Sequence, residues 1–253
     1  MKLTNLKILI AIPTYKRARS VLSINLFDDY TLFVDSSEMD EYREAYPDAK
    51  IVEHAGPKGL TPKRNTILKY GRDNGYDAIF QVDDDFKRFC HFSGNKLVEV
   101  LDKGDIYNVI ERLTAMAIDA NIPLYTFSQF CDIRKYQGQR NHPFGLCVTL
   151  KIGCWGVLLN NNLNFDERFI VKADIDFGLQ VLLEYRKILI ENRYAFDCKA
   201  VMGNRGGVAS YRNKTLEKDT IDLLYKKWGE DIFSRTSSKR VQDYTVNVRS
   251  PFK

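Results

Sequence analysis

The segment Asp77-Ala78-Ile79-Phe80-Gln81-Val82-Asp83-Asp84-Asp85-Phe86 runs from an apolar stretch of β type straight into three consecutive carboxylates. Ile, Phe and Val favour a pleated, buried strand, whereas adjacent Asp side chains repel one another and gain nothing from a sheet interior. The end of this strand therefore calls for a positive partner. A hard divalent cation such as Mg²⁺ or Mn²⁺ takes oxygen ligands, one or two carboxylates together with the oxygens of a bound diphosphate. The motif points to a nucleotide-diphosphate site, with a solvated acidic turn as the plainer alternative.

The segments upstream favour the site. Lys7-Ile8-Leu9-Ile10-Ala11-Ile12 is an apolar run stopped by Pro13, the pattern of a buried parallel strand feeding a loop. That loop, Pro13-Thr14-Tyr15-Lys16-Arg17-Ala18-Arg19, is rich in cations. Thr31-Leu32-Phe33-Val34 ends in Asp35, and Lys50-Ile51-Val52 leads to Glu53-His54-Ala55-Gly56. Gly59-Leu60-Thr61-Pro62-Lys63-Arg64-Asn65 then opens a helix reaching about Tyr70, with Thr61 as N-cap, Pro62 at the first helical position and Gly71 as stop signal. Strands alternating with helices predict an α/β, Rossmann-like fold whose ligands gather beyond the carboxyl ends of the strands.

In this order the segments resemble the nucleotide-sugar glycosyltransferases of the GT-A fold, family-two-like members in particular. The resemblance rests on Pro13-Thr14-Tyr15-Lys16-Arg17, on Gly59 with Arg64-Asn65, and on Asp83-Asp84-Asp85 as the Asp-x-Asp motif. Downstream, Phe165-Asp166-Glu167-Arg168-Phe169 and Lys172-Ala173-Asp174-Ile175-Asp176-Phe177 look like the acidic motif on the acceptor side. The resemblance implies a single domain with a mostly parallel central sheet, about 1–90 forming the donor half and about 91–253 the acceptor half. It implies a donor site of Pro13, Thr14, Tyr15, Arg17, Asp35, Gly59, Lys63, Arg64, Asp83 and Asp84, and a Mn²⁺ or Mg²⁺ held by Asp83 and Asp85. A guanidinium forks onto phosphate oxygens, which suits Arg17 and Arg64 to the donor. An inverting reaction also needs an acceptor base, for which Asp176 is preferred over Asp174, the latter having an alternative use as a helix cap. Many relatives complete the metal site with a late His. Here the histidines are His54, His91 and His142, none of them after the acidic motif, so the third ligand and the stereochemistry stay open.

Composition limits the classes. At 253 residues with no repeat or low-complexity linker, the chain suits one compact enzyme. Ile8 to Ile12 is far shorter than the roughly 20 apolar residues of a membrane span, so a soluble, cytoplasmic protein is expected. Five cysteines without a Cys-x-x-Cys pair signal neither zinc nor a disulfide framework. From Lys199 to Lys253 there are 12 Lys and Arg against 6 Asp and Glu, a surplus of +6, while the first 198 residues carry 26 against 27. This basic stretch, with Arg205, Arg212, Lys239 and Arg240, fits a nucleic-acid acceptor, a grip on the donor diphosphate, or plain solvation.

The remaining segments are packing elements and loops. Ile106, Val109, Ile110, Leu113, Met116 and Ala117 recur at helical spacing from Gly104 to Ala120. Ile122 to Phe127 reads as a strand, 132–143 as a polar loop, Leu146 to Leu159 as one or two strands broken near Gly153 and Trp155-Gly156, Asp174 to Glu184 as a helix, and Lys187 to Ile190 as a last strand. Trp155 is a core residue or a stacking platform. The general layout is similar to bacteriophage glycosyltransferases that decorate hydroxylated pyrimidines in double-stranded DNA, a group associated with base-hydroxylating oxygenases. Polysaccharide, protein and small-molecule acceptors are the alternatives. A nucleotidyltransferase is a further one, because Leu60-Thr61-Pro62-Lys63 also resembles a segment of sugar-nucleotide pyrophosphorylases. The sequence carries no signal of oligomeric state.

Overall fold

The structure is a computed structural model that describes residues 6–94, 96–128, 131, 142–146, 153–198, 206–235 and 244–246. Strand β1 (Ile8–Pro13) is followed by β2 (Thr31–Asp35), α1 (Met39–Ala45), β3 (Lys50–His54), α2 (Leu60–Asp73) and β4 (Ala78–Val82). A hairpin of β5 (Phe86–Ser93) and β6 (Lys96–Val100) precedes α3 (Lys103–Asp119), β7 (Leu124–Ser128), β8 (Phe144–Leu146) and β9 (Cys154–Leu158). Helix α4 (Ala173–Tyr185), β10 (Leu189–Cys198), α5 (Lys214–Trp228) and a small pair, β11 (Phe233–Arg235) with β12 (Tyr244–Val246), complete the order. The 132–141 part of the expected polar loop, Cys147, Arg205, Lys239 and Arg240 lie outside the described residues.

One sheet organises the chain, in the order β3-β2-β1-β4-β9-β7-β10-β5-β6, with β8 on β10. The block from β3 to β4 is parallel throughout. Strand β9 is antiparallel to both β4 and β7, so β7 and the parallel β10 again point with β1, and only β9, β5 and β8 run against the majority. This is the mostly parallel α/β sheet that the strand and helix alternation predicts. Alternate residues of β1 and β4 face opposite layers. Ile8, Ile10, Phe80 and Val82 pack with α3, and Leu9, Ala11 and Ile79 pack with α2, α4 and α5. The strands β1, β2, β4, β7 and β9 are buried on both faces, and period-2 alternation of polarity is absent from them for that reason.

Several local expectations change. Helix α2 is capped by Gly59 at φ 135°, a backbone conformation that L side chains avoid, and Thr61 lies inside the helix with its hydroxyl donating 2.6 Å to the Phe169 carbonyl. Gly71 does not end the helix. It is a close-packing position where a Cβ would stand 2.8 Å from Leu159 Cδ1 and 2.9 Å from Ile79. Trp155 is 1 % exposed between Phe165 and Phe177, which settles it as core. Strand β10 runs on to Cys198, because it serves β7 on one side and β5 on the other with a register shift in each pairing. Among the described residues the thiols of Cys90, Cys131, Cys154 and Cys198 are free, and no helix is long and apolar enough to cross a membrane.

Gly156 has a similar close-packing role. A Cβ there would overlap the ring of Tyr125, which is fully buried and tied to Thr114 by a 2.6 Å hydrogen bond. Gly156→Ala is expected to destabilise the fold by about 3 kcal/mol, the upper range for overpacking a core. An unchanged denaturation midpoint would show that Tyr125 can move aside.

Candidate active site

The parallel strands β1, β2 and β4, together with β10, deliver their carboxyl ends to one edge of the sheet, where the reversed β9 contributes its amino end. A pocket of about 360 Å³ opens there. Pro13, Thr14, Tyr15, Arg17, Asp35, Gly59, Lys63, Asp83 and Asp84 all line it, as does Asp85. Residues as far apart in the chain as Pro13 and Asp85 thus meet around one space, and of the expected donor residues only Arg64 stands behind the wall.

Thr14 is the hub of the β1 loop. Its hydroxyl donates 2.8 Å to Asp84 Oδ2, so the Tyr42 hydroxyl at 2.7 Å must donate to Thr14, and Tyr42 in turn accepts from the Arg17 backbone N–H at 3.1 Å. Burial raises the Tyr42 phenol well above its ordinary pKa and keeps it a donor. Arg17 pairs with Asp84 and lies 3.4 Å from Asp85 Oδ2. Its guanidinium is thereby engaged by carboxylates of the pocket it lines. Burial also pushes the Asp84 carboxyl up, while Arg17 and Thr14 pull it back. Asp84 therefore braces the loop. Lys63 donates 2.9 Å to Asp35 Oδ2 and 2.6 Å to the Thr14 carbonyl, and burial lowers its pKa against the pull of Asp35.

Asp83 is different. Its backbone N–H donates 2.7 Å to the Gly153 carbonyl, and its carboxylate occupies the space a Cβ at Gly153 would need, 2.9 Å from Oδ2. Desolvation lifts its pKa to about 7; Arg64 opposes that rise, and the neighbouring Asp85, Asp84 and Asp174 add to it. A carboxylate short of positive charge on the pocket wall, with Asp85 beside it, fits a hard divalent cation. Among the described residues no three His, Cys, Asp or Glu side chains form a complete ligand cluster, so Asp83 and Asp85 would share the ion with donor oxygens and water. Arg64 reinforces this region from behind, its guanidinium 5.6 Å from the Trp155 ring centre and 5.3 Å from that of Phe165.

The two carboxylates of α4 separate cleanly. Asp176 is 1 % exposed, accepts 2.8 Å bonds from Trp228 Nε1 and Gln180 Nε2, and pairs with Lys227 at 2.7 Å. It anchors α5 and has no access to an acceptor, so the preference for Asp176 as base is not supported. Asp174, half-buried on the first turn, lies on the Asp83 side and contributes to that group's raised pKa. Nor is Asp174 the helix cap, since that position is Lys172, with left-handed backbone at φ 56°.

Sequence reasoning missed part of the site. Cys198 and Gly153 line the pocket, and so do Gly207, Val208, Ala209, Tyr211 and Arg212 from the basic stretch whose readings include a grip on the donor diphosphate. The signal for α5 was present, in Asn213 as N-cap accepting from Leu216 N–H and in buried Thr220 and Leu224 one turn apart. Not all the basic charge there is loose, since Lys227 serves Asp166 and Asp176 and Arg212 pairs with Glu217.

The family model of TET-associated glycosyltransferases matches residues 8–207. No curated protein matches the chain significantly. Among solved structures, GalNAc-T7 with UDP, GalNAc and Mn²⁺ superposes with TM-score 0.55 at 10% identity, covering 89% of this chain and 50% of that one. TarS of S. aureus aligns with TM-score 0.47 at 11% identity, covering 87% and 44%. The chain spans about half the length of these structures.

Asp176→Asn removes the buried charge that pairs with Lys227 and turns one of the two acceptor oxygens serving Trp228 and Gln180 into a donor. It is expected to cost about 2 kcal/mol of stability, the scale for losing a hydrogen bond to a charged group, and to loosen α5. Wild-type thermal stability in this variant would return Asp176 to the list of candidate bases.

Proposed function

The chain belongs to the TET-associated glycosyltransferase family, and from that premise we propose that it is a divalent-metal-dependent enzyme moving a sugar from a nucleotide-diphosphate sugar to a hydroxyl acceptor. The acceptor we propose is a hydroxymethylated pyrimidine in phage DNA, modified in the host cytoplasm. One observation carries the donor half of this reading: the β1 loop, Asp35, the start of α2 and the strand-end acids converge on a single pocket. The neighbour crystallised with UDP and Mn²⁺ is consistent with a nucleotide donor and a divalent metal.

In this reading Asp83 and Asp85 would hold Mn²⁺ or Mg²⁺, which would supply positive charge that lowers the basicity of the departing phosphate. Asp84 and Arg17 keep the β1 loop rigid, and the buried Asp35–Lys63 pair holds the far wall. Asp174 accepts the acceptor's proton as the acceptor oxygen bonds the anomeric carbon, and the electron pair of the broken carbon–oxygen bond goes to the diphosphate. A base at this position favours single displacement with inversion. The DNA acceptor rests on the family's association with base-hydroxylating enzymes and on the basic surplus after residue 198. The family match also ranks glycosyl transfer above the nucleotidyltransferase alternative.

Asp83→Ala and Asp85→Ala are each expected to lower transfer by orders of magnitude with the fold intact, and Mn²⁺ with a nucleoside diphosphate should raise the melting temperature of the wild type but not of these variants. Full activity in excess EDTA would refute metal dependence. Asp174→Asn should lower kcat about 10²-fold or more, as loss of a general base does, while donor affinity is kept; a wild-type rate would remove the base role. With hydroxymethylated DNA and a pool of sugar nucleotides, mass spectrometry of the nucleosides should reveal a sugar adduct, and DNA affinity should fall steeply with salt. Absence of DNA affinity at low ionic strength would transfer the choice to the other acceptors.

A further inference from the structure

Three cations line the pocket with four carboxylates: Arg17, Lys63 and Arg212 against Asp35, Asp83, Asp84 and Asp85. Arg17 is held by Asp84 and Asp85, and Lys63 by Asp35, so both are neutralised by acids of the pocket itself. Arg212 is not. Its partner Glu217 lies outside the lining and is shared with Lys172, whose Nζ is 2.7 Å from the other carboxylate oxygen. One carboxylate between two cations leaves the Arg212 guanidinium only partly compensated.

The segment carrying Arg212 is fastened over the β1 loop. Gly207 N–H donates 2.9 Å to the Tyr15 carbonyl. Gly206, at φ 111°, approaches so closely that a Cβ would stand 2.9 Å from the Lys16 carbonyl. The adjoining Tyr211 hydroxyl is buried against the Leu60 backbone with no acceptor for its O–H, a proton that a ligand oxygen in the pocket could accept. Without Arg212 the lining holds two cations against four carboxylates, a net −2, and a divalent ion at Asp83 and Asp85 would bring it only to neutral, whereas a sugar nucleotide brings two negative charges and gains more as the sugar departs. A cation not spent on the pocket's own acids is what that charge requires.

We propose that Arg212 binds the donor diphosphate and stabilises it as leaving group, with Tyr211 contributing a hydroxyl to the same ligand and Glu217 positioning the guanidinium. This rests on the glycosyltransferase reading, and it places a site residue beyond residue 207, where the family match ends. Calorimetry with UDP, GDP, ADP, CDP and dTDP in Mn²⁺ identifies the tightest diphosphate for the wild type, and its monophosphate serves as reference. Arg212→Gln should weaken the diphosphate by about tenfold or more and the monophosphate by much less, and Arg212→Lys should recover part of the loss as a point charge without the fork. Lys218→Gln, which removes an exposed cation from the adjoining helix α5, should leave both affinities unchanged. Unchanged diphosphate affinity in folded Arg212→Gln, or an equal loss for monophosphate and diphosphate, overturns the assignment while leaving the glycosyltransferase reading in place. If the wild type binds none of the five diphosphates, both fall together.

Discussion

Arg17 lies against Asp84 and Asp85 at the end of β4, and the rest of the site depends on that contact. Three successive carboxylates at a strand end repel one another, and desolvation on the pocket wall makes the charges of Asp83 and Asp84 more costly. The guanidinium resolves part of this by taking Asp84 into a paired, buried position, with the Thr14 hydroxyl on the other oxygen. Asp83 is left undercompensated, with its pKa raised to about 7. The triplet is thus divided by geometry into a structural acid and a pair suited to a metal. Removing Arg17 would strand a buried carboxylate, a loss on the scale of about 3 kcal/mol or more.

The same contact links loop rigidity to the pocket. Tyr42, Thr14 and Asp84 form a hydrogen-bonded series whose directions are set at one end by an N–H and at the other by a carboxylate, so its donors and acceptors are fully assigned. Lys63 closes the circuit from α2 through the Thr14 carbonyl and Asp35. A polar network satisfied at every member holds its atoms in one arrangement, and here it does so around the space where a diphosphate would lie.

On the opposite side, α4 is held by α5. Lys227 and Trp228 grip Asp176 near one end of the contact, and Glu217 reaches Lys172 near the other. Two acids two residues apart on one helix face different ways, and here one faces the brace and the other is near enough to Asp83 to raise its pKa. The C-terminal region is thereby part of the architecture that sets Asp174, rather than a charged appendage.

The alternation of apolar runs with a helix over the first 85 residues, and the placement of acids and Pro-Thr-Tyr at strand ends, were readable from residue order alone. A buried parallel strand declares itself by a continuous apolar run, and the acids that follow cannot remain inside the sheet. The amphipathic spacing of α3 was legible for the same reason. Three-dimensional packing decided the remainder. Thr61 left the cap for the Phe169 carbonyl, 108 residues on, and Gly71 became a contact with Leu159 as well as with the nearby Ile79, because tertiary partners outweighed local propensity. The choice between Asp174 and Asp176 likewise depended on Trp228 and Lys227, whose approach no local pattern encodes. Local sequence dictates where the backbone can be strand or helix. Which charge is compensated, and which is left for a ligand, is set by side chains that only the folded chain brings together.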